Sequence, residues 1–328
     1  MLNTGTGALR KILYVAMRYD YGKPAQGTSF EFNNFYPTLL RMVPNVVEFD
    51  FMSMGQQLGR AEMNRRLLQV VEEEKPDLVF FVLFTDEIAE ETIAAITRLC
   101  VTFNWFCDDH WRFESFSRHF APHFTFVSTT DSSALPKYQR IGYQNVIVTQ
   151  WACNHYDYVA LPGVEKKYDV TFVGQPHGSR RSTIGYLARH GIRVDAFGQG
   201  WERGRVSQEE MIRVFNESRI NLNLSNSSWN IHSLLRGRQQ IKGRNFEVPG
   251  CGGFLMTNYV GGLEDYYAIG EEIICFRGRR ELLDGIRYYL NHESDRESIA
   301  RKGYLRTLRD HTYESRFRQI FARIGFAV

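Results

Sequence analysis

The stretch Lys242-Gly-Arg-Asn-Phe-Glu-Val-Pro-Gly-Cys-Gly-Gly-Phe-Leu-Met-Thr257 places basic residues before a predicted short helix, a glycine-rich turn after it and a buried strand at its end. A helix that leads directly into a buried strand is the building block of an α/β protein. Glycines in the turn permit a positive φ or a close backbone approach, and the cations can face a diphosphate. The alternative is a helix C-terminus flanked by solvated Lys and Arg side chains, and composition does not separate the two interpretations.

The same alternation of helix and strand extends along the whole chain. Short apolar runs rich in Val, Ile and Phe are typical of strands buried on both faces of a parallel sheet. Helical patterns separate these runs, for example Met63–Glu74. We therefore predict an α/β protein with doubly wound parallel sheets. The predicted strands are Lys11–Met17, Asn45–Phe51, Asp77–Phe84, Val101–Phe106, Phe124–Ser128, Asn145–Thr149, Asp169–Val173, Ile192–Phe197, Ile220–Leu224, Phe254–Thr257 and Glu272–Phe276.

A chain of 328 residues is longer than one compact core usually requires. The polar, irregular stretch Trp151–Lys167 contains Pro162 and Gly163 and interrupts the strand series. We therefore predict an N-terminal domain over residues 1–160 and a second domain that begins at 161.

Composition and charge exclude several classes of function. The net charge of +3 is too small to indicate a nucleic-acid groove. Five scattered cysteines without a C-x-x-C pair indicate a reduced, cytoplasmic protein with buried thiols. We expect no signal peptide, because Met1–Lys11 lacks an apolar stretch. No run approaches the ~18 apolar residues of a membrane span, which leaves peripheral contact with the inner face of a membrane open.

Two carboxylates and a histidine follow the predicted strand Val101–Phe106. Ligands of open α/β sheets bind beyond the carboxyl ends of the strands, and unpaired burial of such side chains is costly. Asp108 or Asp109 is therefore a candidate general base or acceptor-holding group, with His110 beside it. The alternatives are a pair of solvated aspartates that cap the next helix, and a metal site.

The long loop Arg18–Glu31 follows the first strand. Tyr21, Gly27 and Ser29 are candidate cleft residues for the acceptor, because a loop in this position can contact a substrate. A surface loop that ends in a helix cap is the alternative.

Two helix starts fit the capping box, in which a hydroxyl and a carboxylate satisfy backbone N–H groups. They are Thr28-Ser-Phe-Glu31 and Ser207-Gln-Glu-Glu210. We assign both boxes a structural role and no catalytic one.

The Lys242–Thr257 stretch resembles the donor-site signature of GT-B glycosyltransferases, and more closely that of the CgeB-like group. Tyr168–Gly174 with the following Arg180-Arg181, and Val206–Asn223, are similar to further parts of the same family. The resemblance implies two Rossmann-like domains facing a cleft, with the acceptor on the N-terminal side. It also implies a nucleotide-sugar domain over 161–310, with 311–328 as a final helix that packs back on the N-terminal domain.

The implied reaction is transfer of a sugar from a nucleoside diphosphate sugar to a hydroxyl of a glycan, glycolipid, protein or small molecule. The resemblance implies no cofactor and no metal. Glu247 matches the ribose-binding second glutamate of the paired-glutamate motif, whereas Gln239 stands where the first glutamate is expected. Lys242 and Arg244 are the candidates for the diphosphate, with Arg238 as a third. Further donor-side candidates are Gly174, Arg180, Asn223, Phe246, Gly252 and Gly253, and His232 lies in a predicted loop over the donor pocket.

Two other functions remain compatible with this sequence. A sugar-nucleotide epimerase of the same shape would form product from the nucleotide sugar alone. A non-catalytic binding or scaffold protein would keep the fold without turnover, which the departure at Gln239 allows. We give less weight to an NAD-dependent dehydrogenase, because the G-x-G-x-x-G fingerprint is absent.

Overall fold

The computed structural model describes residues 7–225 and 239–328, which form two compact units. Unit 1 is the chain up to Gln150 together with Tyr313–Val328, and unit 2 is Trp151–Thr312. The first division therefore follows Gln150, where 160 was expected, and the second follows Thr312, where 310 was expected.

Both units are α/β in the described residues. The strands are β1 (Gly7–Ala8), β2 (Lys11–Ala16), β3 (Asn45–Asp50), β4 (Leu78–Phe81), β5 (Val101–Phe106), β6 (Phe126–Thr129), β7 (Val146–Val148), β8 (Tyr168–Val173), β9 (Asp195–Phe197), β10 (Ser218–Asn223), β11 (Leu255–Asn258), β12 (Ile274–Phe276) and β13 (Phe326–Ala327). The α-helices are α1 (Phe30–Met42), α2 (Phe51–Leu58), α3 (Arg60–Glu74), α4 (Glu90–Leu99), α5 (Asp109–Arg112), α6 (Arg118–Phe120), α7 (Leu135–Arg140), α8 (Arg180–Arg189), α9 (Gln208–Glu217), α10 (Arg244–Gly250), α11 (Arg279–Asn291), α12 (Glu293–Asp310) and α13 (Tyr313–Arg323).

The main sheet of unit 1 is parallel, with the strand order β3-β2-β4-β5-β6-β7. Its central strands are buried on both faces. Leu13 and Val79 lie on one face and Tyr14 and Phe80 on the other, and all four are fully buried. The chain winds in one direction from β2 to β3 and in the other from β4 onward. The carboxyl ends of β2 and β4 therefore flank a topological switch point, the usual ligand position in such sheets.

Unit 2 repeats this arrangement with the parallel order β12-β11-β10-β8-β9. Val170, Ile220 and Met256 lie in its core. Its switch point lies between β8 and β10, and the loops that follow these two strands meet there.

Helix α13 completes the core of unit 1. The Phe317 ring lies 5.4 Å from that of Phe35, 5.6 Å from that of Phe80 and 6.3 Å from that of Trp105, measured between ring centroids. All four side chains are buried. The last helix is thus a structural element of the N-terminal unit.

The predicted strand series is confirmed, with ends that shift by a few residues. The prediction succeeds because strands buried on both faces must be apolar throughout, which makes them visible in the sequence. No helix in 7–225 or 239–328 has the length and apolar composition of a membrane span. Those same residues contain no group of three or more His, Cys, Asp or Glu side chains arranged to hold a metal ion.

One of the two predicted capping boxes is present. Glu210 N donates to Ser207 Oγ at 3.1 Å, and Ser207 N donates to the Glu210 carboxylate at 2.9 Å. The other prediction is wrong by one residue, because Phe32 N donates to Ser29 Oγ at 3.1 Å. Ser29 therefore caps α1, and Glu31 falls one position short of the place from which it would complete the box.

Candidate active site

Four basic side chains gather where the carboxyl ends of β8 and β10 meet the start of α10. We call His177, Arg180, Lys242 and Arg244 the cationic cluster. Partial desolvation lowers the pKa of the exposed His177, and the charges of Arg180 and Lys242 lower it further. Burial also lowers the pKa of Arg180, to about 10, with a contribution from Arg244. These effects place the His177 imidazole and the charges of Arg180, Lys242 and Arg244 within electrostatic reach of one another. The three cations produce a field that favours an anionic ligand.

Arg180 ties together the two loops of the unit 2 switch point. Its Nε and Nη2 donate to Leu224 O at 3.0 and 2.7 Å, and its Nη1 donates to Gln175 O at 2.8 Å. The guanidinium also lies over the Phe172 ring, 5.4 Å from its centroid. Arg180 therefore acts mainly by positioning these loops, while its charge adds to the cationic cluster.

The first turn of α10 contains a buried ion pair. Arg244 Nη1 donates to Glu247 Oε2, and the Glu247 side chain is fully buried. Burial raises the pKa of Tyr158, and the charge of Glu247 raises it further, so this phenol lies beside the pair. Within the described part of the chain, Arg244 Nε and Glu247 Oε1 are buried without a hydrogen-bond partner. An orphaned donor and an orphaned acceptor are a cost that a polar ligand or water can remove.

Asn223 belongs to a buried polar network at the end of β10. Its Nδ2 donates to Asn245 Oδ1 at 3.0 Å and to Thr257 Oγ1 at 3.0 Å. Lys242 N donates to the same Asn245 Oδ1 at 2.9 Å. The network therefore fixes the backbone that presents the Lys242 side chain, and Asn223 acts through it.

The loop after β8 packs closely against the loop after β9. Trp201 Nε1 donates to Gly174 O at 2.7 Å. A Cβ on Gly198, whose φ is +131°, would lie 2.6 Å from that same oxygen. Gly174 thus lies at a crowded backbone contact beside the cationic cluster.

The glycine-rich turn lies at the other end of α10 from Arg244. Gly252, with φ +69°, and Gly253 follow the C-terminus of the helix and lead into the amino end of β11. A Cβ on Gly253 would lie 2.9 Å from Asn221 Nδ2 and 3.1 Å from Val248 O. These glycines permit close packing of the turn, and they lie away from the carboxyl ends of the strands, where a donor role was expected.

The position of Phe246 also differs from the donor-binding position that the resemblance implies. It is fully buried, and its ring contacts those of Tyr266, Tyr267 and His311. We assign it to the core of unit 2.

In unit 1, the adjacent candidates Asp108 and Asp109 have different environments. Asp109 is fully buried and accepts hydrogen bonds from Ser117 Oγ and, at 2.7 Å, from Tyr138 Oη. Burial raises its pKa, and these hydrogen bonds oppose that shift. Asp108 is half-buried and makes no side-chain cap to α5. Asp109 therefore organises the loop, and Asp108 is the more accessible carboxylate.

Glu31, which sequence reasoning treated as a capping residue, lies beside Asp108. We call Asp20, Glu31 and Asp108 the acidic cluster. Burial raises the pKa of Glu31 to about 7, and the charges of Asp20 and Asp108 contribute to the rise. Cys107 Sγ donates to Glu31 Oε1 across 3.9 Å. The signal in the sequence was an acidic residue just after the first βα loop, but the false capping box concealed it.

The remaining unit 1 candidates lie on the same side of the sheet. Tyr21 has a φ of +54°, is 49% exposed, and contacts the Phe84 ring. Gly27, with φ +75°, faces open space. Ser29 is buried and donates to Met17 O at 2.8 Å besides capping α1, so its role is structural. His110 is half-buried in α5.

The predicted donor-side residues Arg238 and His232 lie outside the described residues. Gln239, at the expected first-glutamate position, is exposed.

Comparison with known sequences gives two consistent findings. Residues 180–322 match a family model described as "Glycosyl transferase-like". The chain is 21% identical over 209 residues to spore protein CgeB of Bacillus subtilis strain 168, a match that covers 57% of this chain and 64% of CgeB. The matched region thus spans less than two thirds of that relative.

Solved structures with a similar fold cover nearly the whole chain. HepE from Anabaena superposes with a TM-score of 0.63 at 14% identity, covering 95% of this chain and 98% of HepE. Sucrose-phosphate synthase from Thermosynechococcus elongatus gives 0.63 at 9% identity, with 95% and 99% covered. A glycosyltransferase from Rickettsia africae gives 0.63 at 8% identity, with 96% and 98% covered.

These matches confirm the resemblance that the sequence indicated. The chain has the GT-B fold of two Rossmann-like units with parallel sheets, and residues 180–322 are similar to the glycosyl transferase-like family. The family match covers most of unit 2, the unit that contains the cationic cluster.

Proposed function

We propose that this protein is a glycosyltransferase that moves a sugar from a nucleoside diphosphate sugar to an acceptor hydroxyl. The observation that carries the proposal is the cationic cluster at the switch point of the glycosyl transferase-like unit. The reaction releases a nucleoside diphosphate, and preorganised cations stabilise the charge that develops on this leaving group. The similar fold of HepE, solved in complex with UDP-glucose, and of pneumococcal GtfA, solved with UDP and GlcNAc, supports UDP as the first nucleotide to test.

The contacts suggest a division of roles within unit 2. Lys242 and Arg244 would face the diphosphate, with the exposed His177 beside them. Glu247 would bind the ribose through Oε1, the oxygen that Arg244 leaves unoccupied. Gly174 would allow the nucleotide to approach the loop that Arg180 holds in place.

Unit 1 would handle the acceptor. Asp108 and Tyr21 are the accessible groups near its switch point, and Asp109 would hold the local structure. In this proposal the enzyme is cytoplasmic, needs neither metal nor cofactor, and uses a glycan, lipid-linked or protein hydroxyl as acceptor. The cations of unit 2 would do the work that a metal ion does for other sugar transferases.

A thermal-shift screen tests the donor side directly. The purified protein is heated with UDP, GDP, dTDP and CMP and with their sugar conjugates. A nucleotide present at 100 times its dissociation constant adds about 2.7 kcal/mol of stability, which raises Tm by several degrees. We expect Lys242→Met to remove the shift. The matched control is Lys167→Met, because Lys167 pairs with Glu217 on the surface of the same unit and should leave the shift intact.

Each outcome discriminates among the candidate functions. Release of UDP from UDP-glucose together with glycosylated acceptor supports the transferase. Conversion of the sugar nucleotide to an isomer, without acceptor, identifies an epimerase instead. If no nucleotide stabilises the folded protein, the scaffold interpretation replaces both.

A further inference from the structure

We propose that Glu31 is the catalytic base that accepts the proton of the attacking hydroxyl. This inference rests on the proposed transferase function and assigns its proton-transfer step to a residue outside the donor unit. In that step the acceptor O–H gives its proton to the Glu31 carboxylate while the oxygen bonds to the anomeric carbon. The bond from that carbon to the diphosphate breaks, and its electron pair leaves on the diphosphate.

The position of Glu31 in the fold supports this role. It lies in the first turn of α1, directly after the loop that leaves β2, and it is half-buried. Asp108 and Cys107 approach it from the carboxyl end of β5. Glu31 therefore lies on the ligand-binding side of the sheet, near the switch point of unit 1.

A second observation is a buried tyrosine hydroxyl whose pKa is affected by the charge of Glu31. Tyr14, on β2, is fully buried, and its hydroxyl has no hydrogen-bond partner within residues 7–225 and 239–328. Burial raises the pKa of Tyr14, and among neighbouring charges Glu31 and then Cys107 raise it most. A buried hydroxyl without a partner is costly, so a ligand hydroxyl or a water between Tyr14 and Glu31 would satisfy both groups.

The charges around Glu31 suit a base that works near neutral pH. Asp20 faces it from the β2 loop, Asp108 and Cys107 from β5, and Tyr14 from β2. No ion pair joins Glu31 to a Lys or Arg in the described parts of the chain. A carboxylate with a pKa of about 7 is half ionised at neutral pH and binds a proton more readily than an ordinary glutamate does.

Asp109 and Asp108 are less suited to the same step. Both oxygens of Asp109 accept hydrogen bonds from Ser117 and Tyr138. Asp108 is accessible, and its negative charge raises the pKa of Glu31. We therefore treat Asp108 as a positioning residue that tunes the base.

The test is the pH dependence of UDP release from UDP-glucose, with water as the acceptor. Wild type should lose kcat/KM below pH ~7 as Glu31 becomes protonated. Glu31→Gln should lower kcat by about 10²–10⁴-fold, abolish the acidic limb, and leave the UDP-induced thermal shift unchanged. Asp108→Asn should move the acidic limb of the activity that remains to lower pH, because one neighbouring negative charge is gone.

The results separate failure of this inference from failure of the proposed function. A wild type that hydrolyses UDP-glucose while Glu31→Gln retains its rate or its acidic limb overturns the assignment of Glu31 alone. The same holds if Asp108→Asn leaves the limb where it was. A wild type that binds UDP but releases none from UDP-glucose, at any pH and with added acceptors, overturns the transferase and the base together.

Discussion

The two sheets share a topology around a switch point, but opposite charges gather at their carboxyl ends. In unit 1 this end holds Asp20, Glu31 and Asp108, and in unit 2 it holds the cationic cluster. The same scaffold thus presents a proton acceptor in one copy and an anion-binding field in the other. The difference indicates that the chemistry lies in the loops after the strands, while the strands themselves provide only placement.

The charges also differ in how they are balanced. In unit 2, Arg244 is paired with Glu247, and Arg180 is held by backbone carbonyls. In unit 1, the charges of Asp20 and Asp108 raise the pKa of Glu31. Unit 2 therefore holds its charges in a fixed arrangement, whereas the acidic cluster of unit 1 is poised to exchange a proton.

The largest expected effect concerns the buried pair of unit 2. Glu247→Ala should lower the free energy of unfolding by about 3–5 kcal/mol, because Arg244 is left with an uncompensated, mostly buried charge. Urea denaturation measures the loss. The double variant Arg244→Met/Glu247→Leu is the control and should recover part of it, since the remaining charge is gone. A loss below about 1 kcal/mol for the single variant would mean that the pair is solvated.

The next effect separates the two neighbouring aspartates of unit 1. Asp109→Ala should cost about 2–3 kcal/mol, because it leaves the buried hydroxyls of Ser117 and Tyr138 without their acceptor. Asp108→Ala should change stability by no more than about 0.5 kcal/mol. Chemical denaturation of both variants under one condition gives the comparison. Equal losses would contradict the distinction between a structural and an accessible carboxylate.

The smallest effect compares two glutamates in the first turn of a helix. The pKa of Glu31 is raised, so its neutral form is favoured in the fold, and stability is lost as pH rises from the unfolded value through about 7. Glu31→Gln should therefore raise Tm at pH 8 by about 2 °C or more and have little effect at pH 5. Glu210, whose pKa is lowered chiefly by a hydrogen bond from the Ser207 backbone, stabilises when charged.

The control for this prediction is Glu210→Gln, which should lower Tm slightly at pH 8, the opposite sign. Thermal melts of both variants and of wild type at pH 5 and pH 8 measure these changes in Tm. A Glu31→Gln variant that is less stable than wild type at pH 8 would contradict the prediction, because it would mean that the charged carboxylate stabilises the fold.

The fold could be predicted from the sequence more completely than the candidate site. Strands buried on both faces appear as apolar runs, and the Lys242–Thr257 stretch indicated unit 2, which contains the cationic cluster. The sequence does not show how α10 is oriented relative to the strands. Gly252 and Gly253 were therefore grouped with Arg244, although they lie at the opposite end of the helix. Glu31 was concealed by a one-residue shift of a cap, and His177 by a loop whose neighbours come from distant parts of the chain.

The interrupted make-up of unit 1 has a consequence for how the protein is synthesised. Unit 2 is one continuous stretch, Trp151–Thr312, whereas the core of unit 1 requires Phe317, which the ribosome adds after all of unit 2. Domains generally fold during synthesis in the order in which they emerge. Here the second unit is complete first, and the N-terminal unit waits with Phe35, Phe80 and Trp105 uncovered until α13 arrives. A nascent chain of this protein thus exposes an aromatic, aggregation-prone surface for as long as translation of unit 2 lasts.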